Sequence, residues 1–122
     1  MEDIVKTRKP SVINMSLGGP PNEAMDDIAE ALVKAGVYIV AAAGNSNKDA
    51  CEVSPARSSS VLTVGATDTW DDRAFFSNYG NCVNVWAPGT KIMSASYEGG
   101  FMFMQGTSMA APHVAGMSFG LS

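Results

Sequence analysis

The sequence predicts an α/β fold with a mostly parallel central sheet, and two observations carry this prediction. Residues 37–43 read Val-Tyr-Ile-Val-Ala-Ala-Ala, with no polar alternation and a glycine on either side. This pattern is typical of a strand that is buried on both faces. A shorter strand and a helix precede that run, and strand, helix, strand in this order indicates one right-handed βαβ unit. We therefore expect residues 1–122 to form a single α/β unit.

Each part of the βαβ unit has its own signal. Residues 12–16 read as a short strand that ends in the breaker Leu-Gly-Gly-Pro-Pro. Asn22 can cap the helix that follows, and Gly36 stands where a left-handed residue usually closes a helix. Along the helix, apolar residues recur at spacings of three and four on one face. They are Ala24, Met25, Ile28, Ala31, Leu32 and Ala35.

The rest of the chain predicts further strands and one more helix. Residues 61–66 and 83–86 read as strands, the second of them stopped by a Pro-Gly pair. Residues 92–95 and 101–104 are expected to pair as a hairpin around Glu-Gly-Gly. Residues 107–121, rich in alanine and methionine, read as the last helix.

Composition narrows the classes of function. The apolar content of 46% predicts a globular protein, and the net charge of −4 argues against nucleic acid, whose binders cluster Lys and Arg. The one basic cluster, residues 6–9, is short. Residues 37–43, the longest nearly apolar run, fall far below the roughly 20 residues of a membrane span. The acidic start at residues 1–3 is unlike a secretory signal. We expect no nucleic-acid partner, no membrane span and no signal peptide in this chain.

Ser108 is the strongest candidate for a reactive side chain. It lies at the start of the last predicted helix, where unpaired N–H groups and partial positive charge suit a nucleophile that generates an oxyanion. Gly106 would let a substrate approach the backbone closely. Pro112 removes the N–H that would bond the Ser108 carbonyl, so the first helical turn is expected to be irregular. Gly-Thr-Ser taken alone, however, is more typical of a cap before a packed, alanine-rich helix.

The longer run of residues 106–116 resembles the serine signature of the subtilisin-like proteases, or subtilases. It reads Gly-Thr-Ser-Met-Ala-Ala-Pro-His-Val-Ala-Gly, and the family usually has Thr or Ala where this chain has Ala111. The resemblance implies a serine endopeptidase with Ser108 as nucleophile, a peptide or protein substrate and no cofactor for the chemistry. It also implies a partial three-layer subtilisin-like fold with helices on both faces of the sheet.

His113, the single histidine of the chain, is not expected to be the base. It follows Ser108 by five residues on the same predicted helix, which places the two side chains roughly 140° apart around the axis. A packed histidine bonded to a neighbour is expected instead. Subtilases carry their triad in the chain order Asp, His, Ser, and residues 1–14 contain neither of the first two motifs. By resemblance, this chain is expected to lack the N-terminal half of the domain and a segment after Ser122. That N-terminal half is the partner that the chain is expected to need.

Asn45 follows the buried strand and, from the local sequence, could be only a turn former. In subtilases the matching asparagine gives its side-chain amide to the oxyanion hole, with the Ser108 N–H as second donor. An amide donates without charge at any working pH. Residues 16–19, Ser-Leu-Gly-Gly, look like the segment that binds substrate as an added strand. The resemblance implies a pocket for apolar side chains of some bulk. The residues expected to bind substrate there are Ser16, Leu17, Gly18, Gly19, Ala42, Ala43 and Gly44.

The two cysteines, by count alone, could be bridged or free. Cys51 and Cys82 stand where proteinase K-like subtilases of the aqualysin type carry a disulfide. Residues 54–56, 63–66 and 76–80 match that subfamily closely. The resemblance therefore implies a Cys51–Cys82 bridge, an oxidising compartment and an extracellular or secretory location.

A structural calcium site is implied more weakly. By resemblance its ligands would be the carbonyls of Ser59 and Val61 and a carboxylate at position 84. This chain has Asn84 there, and calcium prefers charged oxygen ligands. The substitution weakens the expected site.

Three interpretations of the chain remain open. It could be part of an active secreted endopeptidase whose Asp and His lie elsewhere. It could be a catalytically dead, truncated relative that binds peptides or partners. It could also be a piece that does not fold, because a parallel sheet without its neighbouring strands exposes apolar edges and faces.

Overall fold

The computed structural model describes residues 11–16, 18–90, 92–95, 101–104 and 106–121. The predicted basic cluster at residues 6–9, the acidic start and the turn of the expected hairpin lie outside these ranges. The elements, in chain order, are β1 (Ser11–Met15), α1 (Glu23–Lys34), β2 (Val37–Ala42), a 3₁₀ turn (Ala50–Glu52), β3 (Leu62–Thr67), β4 (Val85–Pro88), β5 (Ile92–Ala95), β6 (Phe101–Met104) and α2 (Thr107–Leu121).

The strands β1 to β4 form one parallel sheet in sequence order. Ser11 pairs with Val37, at the start of both strands, which fixes the register of the βαβ unit. The strands β5 and β6 form a separate antiparallel pair. The predicted α/β class with a mostly parallel sheet is therefore confirmed, and so is the hairpin.

The sheet is covered on both faces, which explains the unbroken apolar run of β2. Val40 and Ala42 belong to a core cluster with Ala110 and Val114 of α2. Ile39 belongs to a second cluster on the opposite face, with Ala29 of α1. Because successive strand residues point to opposite faces, both sets must be apolar. The expectation of helices on both faces is confirmed.

The helix α1 is capped by Asn22 at its N-terminus and is followed by a left-handed glycine at its C-terminus. The side chain of Asn22 accepts a hydrogen bond from the Met25 N–H at 3.1 Å, as the cap prediction requires. Gly36 has a φ of +96°, a left-handed conformation that glycine adopts without strain. Among the described residues, neither helix has the length and hydropathy that a membrane crossing would need.

The fourth strand differs from its prediction by two residues, since it runs Val85–Pro88 rather than 83–86. Its register is set by β3, with Val64 opposite Val85 and Thr67 opposite Pro88. Proline lacks an N–H, yet it can end a strand whose other side has no partner in the described sheet. The strand therefore includes the proline of the Pro-Gly pair and ends two residues later than predicted.

Cys51 and Cys82 are bridged, which confirms the expected disulfide. Their Cα atoms lie 5.3 Å apart, and the bridge spans 31 positions of sequence. It joins the 3₁₀ turn after β2 to the segment that leads into β4.

Removing this bridge is expected to destabilise the protein. Replacing Cys51 and Cys82 together by serine frees a loop of about thirty residues in the unfolded chain, which should cost about 3–4 kcal/mol of unfolding free energy. Urea denaturation of the variant measures this loss directly. Reduced wild-type protein serves as the control and should show a similar loss, whereas an unchanged midpoint in both samples would contradict the prediction.

Candidate active site

A cleft of about 600 Å³ opens at the carboxyl ends of β1 and β2, beside the first turn of α2. Ligands of parallel sheets bind at this edge. The cleft is lined by Ser16, Gly18, Gly19, Pro20, Ala42, Gly44, Asn45, Ser46, Lys48, Val53, Asn78, Thr107 and Ser108. Most of the residues predicted from sequence to form the site therefore meet here. Ala43 is fully buried behind the wall, and Leu17 lies outside the described residues.

Ser108 is the second residue of α2, and its hydroxyl is held by the segment after β1. The Ser108 Oγ donates to the Ser16 carbonyl at 2.9 Å, and the Ser16 Oγ donates to the Ser108 carbonyl at 3.1 Å. Pro112 has no N–H to donate to the Ser108 carbonyl, and the Ser16 hydroxyl donates to this carbonyl instead. Asn14 in turn donates to the Ser16 Oγ at 2.7 Å. These bonds fix the nucleophile candidate against the wall of the cleft.

Asn45 lies directly opposite the start of α2, and its amide oxygen is fully engaged there. The Asn45 Oδ1 accepts from the Thr107 N–H and from the Thr107 Oγ, both at 2.8 Å. The Thr107 Oγ also accepts from the Gly44 N–H at 3.1 Å, and the Thr107 side chain is fully buried. Because the oxygen is committed to Thr107, the –NH₂ group of Asn45 remains to face a ligand. Within the described part of the chain, the structure gives that group no acceptor.

The floor of the cleft is formed by Val53, which is 6% exposed. Its two methyl groups lie between the glycine walls: a Cβ on Gly18 would lie 3.0 Å from Cγ1, and one on Gly44 would lie 3.7 Å from Cγ2. A larger residue at Gly18 would therefore press against Val53, whereas one at Gly44 would first collide with the buried Asn78 amide. Among the described lining residues Lys48 is the single charged side chain, which together with the helix N-terminus makes the cleft electropositive.

His113 is exposed on α2, so the packed position expected from sequence for this histidine is wrong. The Ser108 hydroxyl is directed at the Ser16 carbonyl and not at this imidazole. His113 is therefore no base for Ser108, as the helical spacing predicts.

The residues suggested for calcium include no carboxylate. The Asn84 Oδ1 accepts from the Thr63 N–H at 2.7 Å, which uses one of the two lone pairs of that oxygen. Ser59 and Val61 could offer only neutral carbonyl oxygens, whereas calcium favours carboxylates. In the described ranges no group of three or more His, Cys, Asp or Glu side chains is arranged to hold a metal.

Two residues of the site have no functional signal in their local sequence. Thr107 has only the character of a helix cap, and Asn78, followed by Tyr-Gly, only that of a turn residue. Their partners lie 62 and 35 positions away in the chain, at Asn45 and Ala43, so local patterns carry no sign of them. The one available signal is that both belong to short runs that resemble subtilase segments.

A serine on a helix N-terminus, beside an asparagine amide at the carboxyl ends of parallel strands, is an arrangement typical of the nucleophile and oxyanion donor of serine hydrolases. A model described as the subtilase family, Peptidase_S8, matches residues 1–119. This chain belongs to the subtilase family.

Individual relatives agree with this assignment. The alkaline serine exoprotease A of Vibrio alginolyticus is 54% identical over 109 residues, which are 89% of this chain and 20% of that protein. The extracellular serine proteinase of Thermus sp. (strain Rt41A) is 53% identical over 110 residues, 88% of this chain and 27% of that protein. A solved structure of a cold adapted subtilisin-like serine proteinase is 49% identical with a TM-score of 0.90, and covers 96% of this chain and 43% of its own. The chain thus spans about a fifth to a quarter of these two curated relatives.

Proposed function

We propose that this chain supplies the nucleophile and the oxyanion hole of a secreted subtilisin-like serine endopeptidase. The observation that carries the proposal is the cleft in which Ser108, at the N-terminus of α2, lies with the free –NH₂ group of Asn45. The finer likeness to the proteinase K and aqualysin type rests on the sequence motifs and on the Cys51–Cys82 bridge.

The mechanism follows from these groups. The Ser108 Oγ attacks the peptide carbonyl, and the oxygen that becomes negative is stabilised by the Asn45 amide and the Ser108 N–H. A histidine from outside this chain takes the hydroxyl proton, and an aspartate orients that histidine. The hydroxyl must first leave the Ser16 carbonyl, to which it donates at 2.9 Å, and turn towards the base. No step requires a metal or an organic cofactor.

A secreted location is supported by two observations. A disulfide between Cys51 and Cys82 suits an oxidising compartment. The Thermus relative is named an extracellular proteinase.

The proposal is tested by labelling the full-length natural protein with a fluorophosphonate probe and locating the adduct by peptide mass spectrometry. We expect the adduct on Ser108, together with hydrolysis of casein. Labelling should be lost when a peptide aldehyde fills the cleft. A protein that neither carries the adduct nor cleaves casein would instead be the catalytically dead relative, and the proposed function would fail.

Val53 at the floor of the cleft should set the size of side chain accepted there. Replacing Val53 by Phe extends a ring between the glycine walls and is expected to lower the preference for Phe over Ala at the cleaved residue by about tenfold or more. The measurement is kcat/KM for two peptides that differ only at that residue. The Ala peptide is the internal control for correct folding. An unchanged ratio of kcat/KM between the Phe and Ala peptides would show that Val53 does not line the pocket for that side chain.

A further inference from the structure

We propose that Asn78 is a positioning residue for the oxyanion hole, which holds the loop that carries Asn45. This inference rests on the proposed function, because it assigns Asn78 a role through the Asn45 amide. Asn78 is fully buried, and its amide is one of the largest completely enclosed polar side chains in the described structure.

The hydrogen bonds of Asn78 bracket Asn45 on both sides. The Asn78 Nδ2 donates to the Ala43 carbonyl at 2.8 Å, two residues before Asn45. The Asn78 Oδ1 accepts from the N–H groups of Ser46 and Lys48, both at 3.0 Å, immediately beyond it. The backbone N–H of Asn78 donates to the Gly44 carbonyl at 2.9 Å. One residue thus fixes the backbone before and after the oxyanion donor.

The loop needs such a support because it has left the sheet. β2 ends at Ala42, and the Ala43 N–H still donates to the Val64 carbonyl of β3 at 2.9 Å, but the peptide groups of residues 44–48 lie beyond the sheet and need other partners. Gly44 has a φ of +105°, and a Cβ there would lie 2.3 Å from the Asn78 Nδ2. The glycine is therefore required both by its left-handed conformation and by the close approach of Asn78.

Other hydrogen bonds also join the Asn45 loop to the segment around Asn78, but they contact the loop only after Asn45. The Asn47 N–H donates to the Phe76 carbonyl at 3.0 Å, and the Tyr79 N–H donates to the Lys48 carbonyl at 3.1 Å. Arg73 donates to the Asn47 Oδ1 at 2.9 Å. All of these lie on the far side of Asn45. On its near side, the loop is held by Asn78, by the Thr107 hydroxyl, which accepts from the Gly44 N–H, and by the Ala43 N–H, which donates to the Val64 carbonyl at 2.9 Å.

The consequence for catalysis is a loss of orientation rather than of binding. Without the Asn78 amide, the Asn45 –NH₂ would sample positions away from the forming oxyanion, and misplacement by about 1 Å can cost on the order of 100-fold in rate. We expect Asn78→Ala to lower kcat by about 10- to 100-fold and to change KM by less than about twofold. Asn78→Asp keeps both acceptor bonds but sets an oxygen against the Ala43 carbonyl, so it should lower kcat as well.

The deciding measurement is a double-mutant cycle in the full-length protein, assayed well below its unfolding midpoint. Asn78→Ala is introduced into the wild type and into an Asn45→Ala background. If Asn78 acts through Asn45, the second comparison should show almost no further loss of kcat. An equal fractional loss in both backgrounds would mean that Asn78 only supports the fold, and would overturn the inference. Asn78→Asp supplies the same comparison should the alanine variant fail to fold.

Thr63→Val is the matched control. Thr63 is also fully buried and donates to a backbone carbonyl, that of Ala56 at 2.6 Å, but it has no bond to the Asn45 loop. It should lower stability and leave kcat unchanged. If the wild type neither cleaves peptides nor labels at Ser108, the proposed function fails; amide hydrogen exchange at Ser46 and Lys48 then decides the inference. Exchange that is not faster in Asn78→Ala would overturn it.

Discussion

Alanine at position 108 is expected to lower kcat of the full-length protein by about a millionfold, the loss known for a subtilisin that lacks its nucleophile. The Ser108 Oγ is the atom that would form the covalent bond, and the hydroxyls of Thr107 and Ser16 are bonded elsewhere. Thr107 is fully buried and bonded to Asn45, and the Ser16 hydroxyl donates to the Ser108 carbonyl. Hydrolysis of a chromogenic peptide, with active-site titration of the wild type, measures the effect.

The matched control for this variant is Ser58→Ala. It removes a hydroxyl that accepts from the Ser60 N–H and does not belong to the described lining of the cleft. It should keep wild-type turnover. If Ser108→Ala retains more than about one hundredth of wild-type activity, another group performs the attack.

Aspartate at position 45 is the second change with a large expected effect. It preserves the shape of Asn45 and the acceptor for the two Thr107 donors at 2.8 Å, but it replaces the –NH₂ by a negatively charged oxygen. The loss of one oxyanion donor costs about 100- to 1,000-fold in kcat, a magnitude measured on the corresponding amide of a subtilisin, and the added charge should increase it. KM should change little, because the interaction forms mainly in the transition state.

Comparing Asn45→Ala with Asn45→Asp separates the role of the Asn45 amide as an oxyanion donor from its role as an acceptor for Thr107. Asn45→Ala removes the donor to the oxyanion and also the acceptor for Thr107, so it should reduce thermal stability more than Asn45→Asp does. Both variants should lose turnover. Wild-type kcat in either one would exclude Asn45 from the oxyanion hole, and equal stability would show that the Thr107 bonds contribute little.

The parts of the fold with a periodic pattern could be predicted from the sequence, and those fixed by distant partners could not. The unbroken apolar run of β2 predicts burial on both faces of the sheet, and this is what the structure has. The apolar spacing of α1 predicts the place of the helix correctly but not its buried face, because Ala29 is buried while Ile28 of the expected face is 58% exposed. The position of β4 depends on its pairing with β3, which no local signal contains. The residues of the site differ in the same way, since some stand in local motifs and others depend on distant partners. Ser108 and Asn45 stand in recognisable motifs, while Asn78 acquires its role only through bonds to a loop more than thirty positions earlier.

The reciprocal bonds between Ser16 and Ser108 join two residues that are 92 positions apart. α2 packs across all four parallel strands, so its first turn has a defined place only when the sheet is complete. Closing a loop of this length before any of its contacts form is slow, and chains rich in such distant contacts fold slowly. We therefore expect the site around Ser108 to form together with the rest of the fold, so that a partly folded chain would not yet hold the nucleophile beside the oxyanion donor.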